Sequence, residues 1–202
     1  MIRELSQKSY AKTETVSFRI DARVRSILEG EARKGGMSLN TLVSQIFLRY
    51  AMWGRYADRL RLIPVSKDLL RDLFGSMDRE KIAEVARQMA DSSGREHILF
   101  LYQELNLQTL VQFLNLWSSH FDTYEHRYDG RNHFYTIHHD VNLNFSLFVR
   151  EYLTTMIQSV ATKQVRFETV SPNSVTFRFE GGSELPGTAT TLDLPRLEAS
   201  NY

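Results

Sequence analysis

The chain has 202 residues, with 25 Lys plus Arg against 24 Asp plus Glu, 6 histidines and no cysteine. The missing cysteines exclude disulfides, thiolate metal ligands and thiol catalysis together. The near-neutral total hides an asymmetry: residues 1–67 hold 13 basic and 6 acidic side chains, a net of +7, whereas residues 68–202 hold 12 and 18, a net of −6. This length predicts a small module joined to one larger domain.

Residues 1–14 (MIRELSQKSYAKTE) carry Arg3, Lys8 and Lys12 with little apolar periodicity. They read as a flexible basic arm, with a frayed terminus as the equal alternative. The start has no apolar core of the secretory kind, and no apolar run in the chain approaches the length that spans a bilayer. The expectation is a cytoplasmic protein without a membrane association.

A strand is predicted over residues 15–20, where Val16, Phe18 and Ile20 alternate with Thr15, Ser17 and Arg19. One face is apolar; the other carries two hydroxyls and a guanidinium. The chain offers no hairpin mate nearby, because Asp21 starts a helical pattern at once. The backbone donors and acceptors of this strand therefore call for a second copy, paired antiparallel about a two-fold axis. The doubled polar row would have a width that the DNA major groove admits.

Two amphipathic helices follow. Asp21 is the expected N-cap of the first, whose Val24, Ile27, Leu28 and Ala32 run to a stop at Gly35-Gly36. Ser38 is the expected N-cap of the second, with Leu39, Leu42, Val43, Ile46, Phe47 and Tyr50 along one stripe. Open backbone N–H groups at its start, the positive end of the helix dipole, and Ser38, Asn40 and Thr41 suit a DNA phosphate.

Strand VSFRI, first helix DARVRSILEGEARKGG, and turn and second helix GMSLNTLVSQIFLRY together resemble the ribbon-helix-helix family of DNA-binding proteins. The resemblance covers the first quarter of the chain. It implies a homodimer formed through the N-terminal strand and bound to double-stranded DNA. Thr15, Ser17 and Arg19 would read bases, and Ser38, Asn40 and Thr41 would hold phosphate, with Lys12 reaching a neighbouring one. Thr15 and Ser17 are shorter than many of the family's base-reading side chains, so sequence preference would lean on Arg19. The bland alternative is the opening of an ordinary α+β core, with Arg19 a solvated charge and Ser38 only a cap. Doubling the basic N-terminal portion in a dimer concentrates positive charge at one end, which favours the nucleic-acid reading.

A linker is expected over 56–67, with Leu60, Leu62 and Pro64 as a short extended connector. The domain over 68–180 reads as helices at 66–75, 77–93 and 95–119, the last interrupted near Asn106. A hairpin follows around Asp129-Gly130, then a helix over 143–161, then a hairpin around Ser171-Pro172-Asn173. Two hairpins around a helix imply an antiparallel sheet covered on one face. Residues 181–202, with three glycines and two prolines among small polar residues, read as a disordered tail. The fold class is thus α+β: a ribbon-helix-helix module over 15–55 and a helix-rich domain with an antiparallel sheet.

All 6 histidines lie between His97 and His139. Imidazoles beside Asp140 are standard metal ligands, but His138 and His139 are adjacent and point to opposite faces of a strand. His133 and His139 share a face about 20 Å apart at ~3.3 Å per residue. Structural histidines are expected, with no metal and no cofactor. The aromatics Phe121, Tyr124, Tyr128, Phe134, Tyr135, Phe145, Phe148 and Tyr152 suit a core, or the walls of a pocket for a small-molecule effector. No nucleophile elbow, phosphate-binding glycine loop or working pair of acids is visible, so no catalytic residue is assigned. The leading reading is a transcriptional regulator whose second domain senses a ligand or mediates assembly. The rival is an antitoxin-like autorepressor whose C-terminal region binds a protein partner.

Overall fold

The computed structural model describes residues 14–57, 60 and 62–182. These fall into two compact units, a small one ending at Ala51 and a larger one beginning at Met52. The basic arm up to residue 13, including Lys12, and the tail from residue 183 lie outside the described residues.

The first regular element is a helix. Residues 14–20 form no strand and are all exposed, which corrects the expectation for Thr15–Ile20 in the single chain. The reason is the one that called for a second copy: a strand exists through ladder hydrogen bonds, and the small unit contains no other strand among its described residues. Helix α1 (Ala22–Lys34) begins where expected, with the Asp21 carboxylate accepting from the Arg23 amide at 2.7 Å. It stops at the two glycines, where Gly36 takes φ +62°, a conformation that disfavours any other residue. Helix α2 (Leu39–Arg49) is capped by Ser38, which accepts from the Thr41 amide at 3.0 Å. It continues into a π-helical turn, Tyr50–Gly54, and a short helix α3 (Arg55–Ala57).

Five further helices and four strands build the larger unit: α4 (Lys67–Gly75), α5 (Arg79–Met89), α6 (Arg95–Tyr102), α7 (Leu107–Ser118), β1 (Thr123–Tyr128), β2 (Asn132–His138), α8 (Leu143–Ala161), β3 (Val165–Val170) and β4 (Ser174–Glu180). A second π-helical turn, Ala90–Gly94, joins α5 to α6. Side-chain caps set most helix starts. Ser66, Asp78, Asn106 and Asn142 each accept a backbone N–H in the first turn of α4, α5, α7 and α8. Asn106 is the interruption expected between α6 and α7; its side chain and that of Thr109 cap each other reciprocally.

The sheet is antiparallel throughout, in the order β1-β2-β4-β3. Asp129 makes the first hairpin tight: its carboxylate accepts from the Arg131 and Asn132 amides while Gly130 takes φ +92°. A bulge after Phe167 shifts the register with β4 and returns Val170 to the inner face. That face carries Tyr135, Ile137, Val175, Phe177 and Phe179, all buried. Helix α8 meets it with Phe145, Phe148, Val149, Tyr152, Leu153, Met156 and Ile157, which recur at helical spacing and are likewise buried. Because α8 also touches α4, α5 and α7, it is the axis of the core. The architecture is α+β, with one sheet face covered. Among the described residues no helix is long and apolar enough to cross a membrane.

Tyr56 sits differently from the connector expected at 56–67. It is fully buried, its ring edge-on to Phe100 at 5.9 Å, and Leu60 packs against the same core. A tyrosine carries enough apolar surface to be drawn into a core whatever its polar neighbours, and that contact is invisible to local sequence composition.

Candidate functional site

The small unit has almost no interior of its own. Ala32 is the only buried residue of α1, and α2 has none. Val16 is 74% exposed, Phe18 51%, Ile27 65% and Phe47 53%. The apolar row of the extended segment does lean toward α2, since the Phe18 and Phe47 rings lie 5.6 Å apart. Exposed apolar patches of this kind are uncommon on the surfaces of monomeric proteins.

The residues expected to read bases, Thr15, Ser17 and Arg19, lie on the extended segment, exposed in alternation with that apolar row. The Arg19 guanidinium makes no ion pair among the described residues. Three other cations of the unit are matched, Arg23 to Asp21, Arg25 to Glu29 at 2.8 Å and Lys34 to Glu31 at 2.8 Å, whereas Arg33 and Arg49, like Arg19, make no ion pair among the described residues. At the start of α2 the structure brings Ser38 and Thr41 together, their hydroxyls 2.8 Å apart. Asn40 stands exposed beside them. The Ser38 oxygen is occupied by its own helix, so donors for a phosphate there are the first backbone N–H groups, the Asn40 amide and the Thr41 hydroxyl.

In the larger unit the histidines resolve into separate structural roles. The β1–β2 register sets Tyr128 opposite His133 and His126 opposite Tyr135. As a result His126 Nε2 lies 2.9 Å from His133 Nδ1 across the strands. The pair stands in an aromatic stack, with His126 4.2 Å from Tyr135 and His133 4.5 Å from Tyr128. His133 is 2% exposed, and its Nε2 has no partner among the described residues. The bond depends on strand register, which the residues of the two strands do not reveal by themselves.

His139 is equally buried and fully engaged. Its Nδ1 accepts from the Val141 amide at 3.1 Å, so Nε2 carries the proton and donates to Ser146 Oγ at 2.9 Å. Ser146 in turn donates to the Ser171 carbonyl. One imidazole thus ties the end of β2, the first turns of α8 and the β3–β4 turn into one knot. Neighbouring His138 is exposed, as adjacency on a strand requires. His138, His139 and Asp140 therefore do not converge on a common point.

Burial pushes His126, His133 and His139 down to about 4. For His133 the neighbouring His126 adds to the effect, while for His139 the nearby Asp122 and Asp140 oppose it. All three are neutral in the folded protein at neutral pH. The folded state therefore holds fewer protons than the unfolded chain between the ordinary imidazole value and about 4. Stability is complete above roughly pH 6.5 and is lost progressively as pH falls toward 4. The His126–His133 pair titrates as a unit. We expect urea midpoints that are level from pH 8 to about 6.5 and then fall by an amount corresponding to several kcal/mol. His133→Phe should flatten part of that fall, and a midpoint unchanged down to pH 5 in the native chain would refute the assignment.

The aromatic-rich stretch is mostly core. Tyr135 stacks on Phe177 at 5.2 Å and reaches across to Asn115 with its hydroxyl at 3.0 Å; Phe145 packs edge-on to Phe74 at 5.1 Å. No protein-family model, no curated protein and no solved structure matches the chain.

Proposed function

We propose that the protein is a homodimeric, sequence-specific DNA-binding regulator of the ribbon-helix-helix type. Two copies of the segment Thr15–Ile20 pair antiparallel, and the polar row of the ribbon enters the major groove. The observation that carries this reading is the exposed apolar strip of the small unit, Val16, Phe18, Ile27 and Phe47, which has no cover among the described residues of that unit. A second copy supplies that cover and at the same time the missing ladder partner. Pairing points Thr15, Ser17 and Arg19 outward, because alternation fixes the opposite face. Arg19, without an acidic partner among the described residues, is available to a guanine edge, and the start of α2 to a phosphate. The net charge of +7 over residues 1–67 supplies the sequence-independent attraction.

The larger unit has its own closed core around α8. That favours an effector or assembly domain over an antitoxin tail, which would order itself on its target.

Selection of bound sequences from random DNA at fixed salt tests the reading directly. Arg19→Ala should then lower discrimination between the selected site and random DNA by roughly 1–3 kcal/mol, with a smaller loss on random DNA. Equal weakening on both would remove Arg19 from base reading, and no enrichment at all would remove DNA.

A further inference from the structure

The larger unit contains a cavity of about 520 Å³ whose walls include both tryptophans of the chain, Trp53 and Trp117, together with Phe148 and Tyr152. Leu62, Ile63 and Pro64 form another part of the lining. The volume lies within the range of small-molecule sites. The described lining residues include no Asp, Glu, Lys or Arg, so they offer no counter-charge to an ion.

Both π-helical turns feed this cavity: the first supplies Trp53 and the second Ser93. Such turns widen the helix locally and re-aim side chains, and they recur at functional sites. Gly94, at the end of the second, lies where a Cβ would collide with Met156 and crowd the Tyr152 hydroxyl, so the backbone approaches the phenol as closely as glycine permits.

Two polar groups on the wall are uncommitted. Tyr152 is 5% exposed, yet its hydroxyl makes no hydrogen bond among the described residues. A buried phenol ordinarily finds a partner. His97 likewise makes none, and burial lowers its pKa, so the ring is neutral and can both donate and accept. His120 is oriented by its own backbone, with Nδ1 2.8 Å from the Leu116 carbonyl, and its ring lies 4.3 Å from Trp53.

We propose that this cavity is a binding site for an uncharged, planar aromatic molecule of two or three fused rings bearing a hydroxyl or carbonyl, with Tyr152 and His97 meeting the polar group. The tryptophan and phenylalanine faces supply stacking area, and the two uncommitted groups fix orientation. This is a property of the larger unit that holds whether or not the small unit binds DNA.

The full chain reports on its own site, because every tryptophan it has lines the cavity. Titration with β-naphthol, followed by tryptophan emission and by calorimetry, should be saturable. Naphthalene should bind more weakly, and the β-naphthoate anion should not bind. Tyr152→Phe should weaken β-naphthol about fivefold or more while changing naphthalene less than about twofold, the signature of one lost hydrogen bond. Ala57→Phe, which places a ring in the cavity from a lining position, should abolish both with an unchanged thermal midpoint. The proposal is overturned if β-naphthol gives no saturable response, if the anion binds as well as the neutral ring, or if Tyr152→Phe leaves the ratio of the two affinities unchanged.

Discussion

Replacing Phe18 with Asp is expected to leave the protein monomeric and unable to hold its DNA site. In the single chain Phe18 is half exposed and leans on Phe47, at the middle of the apolar row that a second copy would cover. Pairing about a two-fold axis would bury two introduced carboxylates near each other without counter-ions. Each burial costs several kcal/mol before repulsion is added, enough to overwhelm the interface of so small a unit. Sedimentation equilibrium and a gel shift on the selected site read the two consequences separately. Ser17→Asp, one residue away on the polar row, should keep the dimer and lose DNA, because its charge would face phosphate. The thermal midpoint of the larger unit should be unmoved in both. A Phe18→Asp chain that remains dimeric would show that residues 15–20 are not the interface.

His139→Ala should destabilise the larger unit by about 3–4 kcal/mol. It removes the acceptor for the Val141 amide, the donor to Ser146 and the ring packed edge-on against Phe145. An orphaned buried amide accounts for about 1–3 kcal/mol and the vacated ring volume for most of the remainder. For a domain of this size the thermal midpoint falls by about 10 °C. His138→Ala, on the next residue, should stay within ~0.5 kcal/mol of the native chain, since its side chain is exposed. Equal effects at the two positions would contradict the knot described above. Retained stability with a lost activity would instead point to chemistry at His139.

Local physics made much of the larger unit legible in advance. The helix starting at Ser66, the break at Asn106, the turn at Asp129-Gly130 and the helix over 143–161 all involve residues within a few positions of each other. Their consequence is the α+β class with a sheet covered on one face. The burial of Tyr56 escaped this reading, because its partner Phe100 lies far along the sequence and its own neighbours are polar. The cavity escaped it for the same reason: Trp53, His97, Trp117 and Tyr152 come from four separate elements. The widening of both helical turns at its rim leaves no clear mark in residue type.

By itself, then, the sequence determined the succession of helices and hairpins, the polar and apolar rows of residues 15–20, and the concentration of positive charge toward the N-terminus. Each depends on residue type and on spacing of at most one helical turn. Tertiary structure alone decided that His126 and His133 share a hydrogen bond, that His139 is locked while His138 is free to solvent, and that Trp53, Trp117, Phe148 and Tyr152 line one cavity. Those outcomes depend on strand register and on contacts between residues distant in the chain, where small displacements separate a bond from a gap.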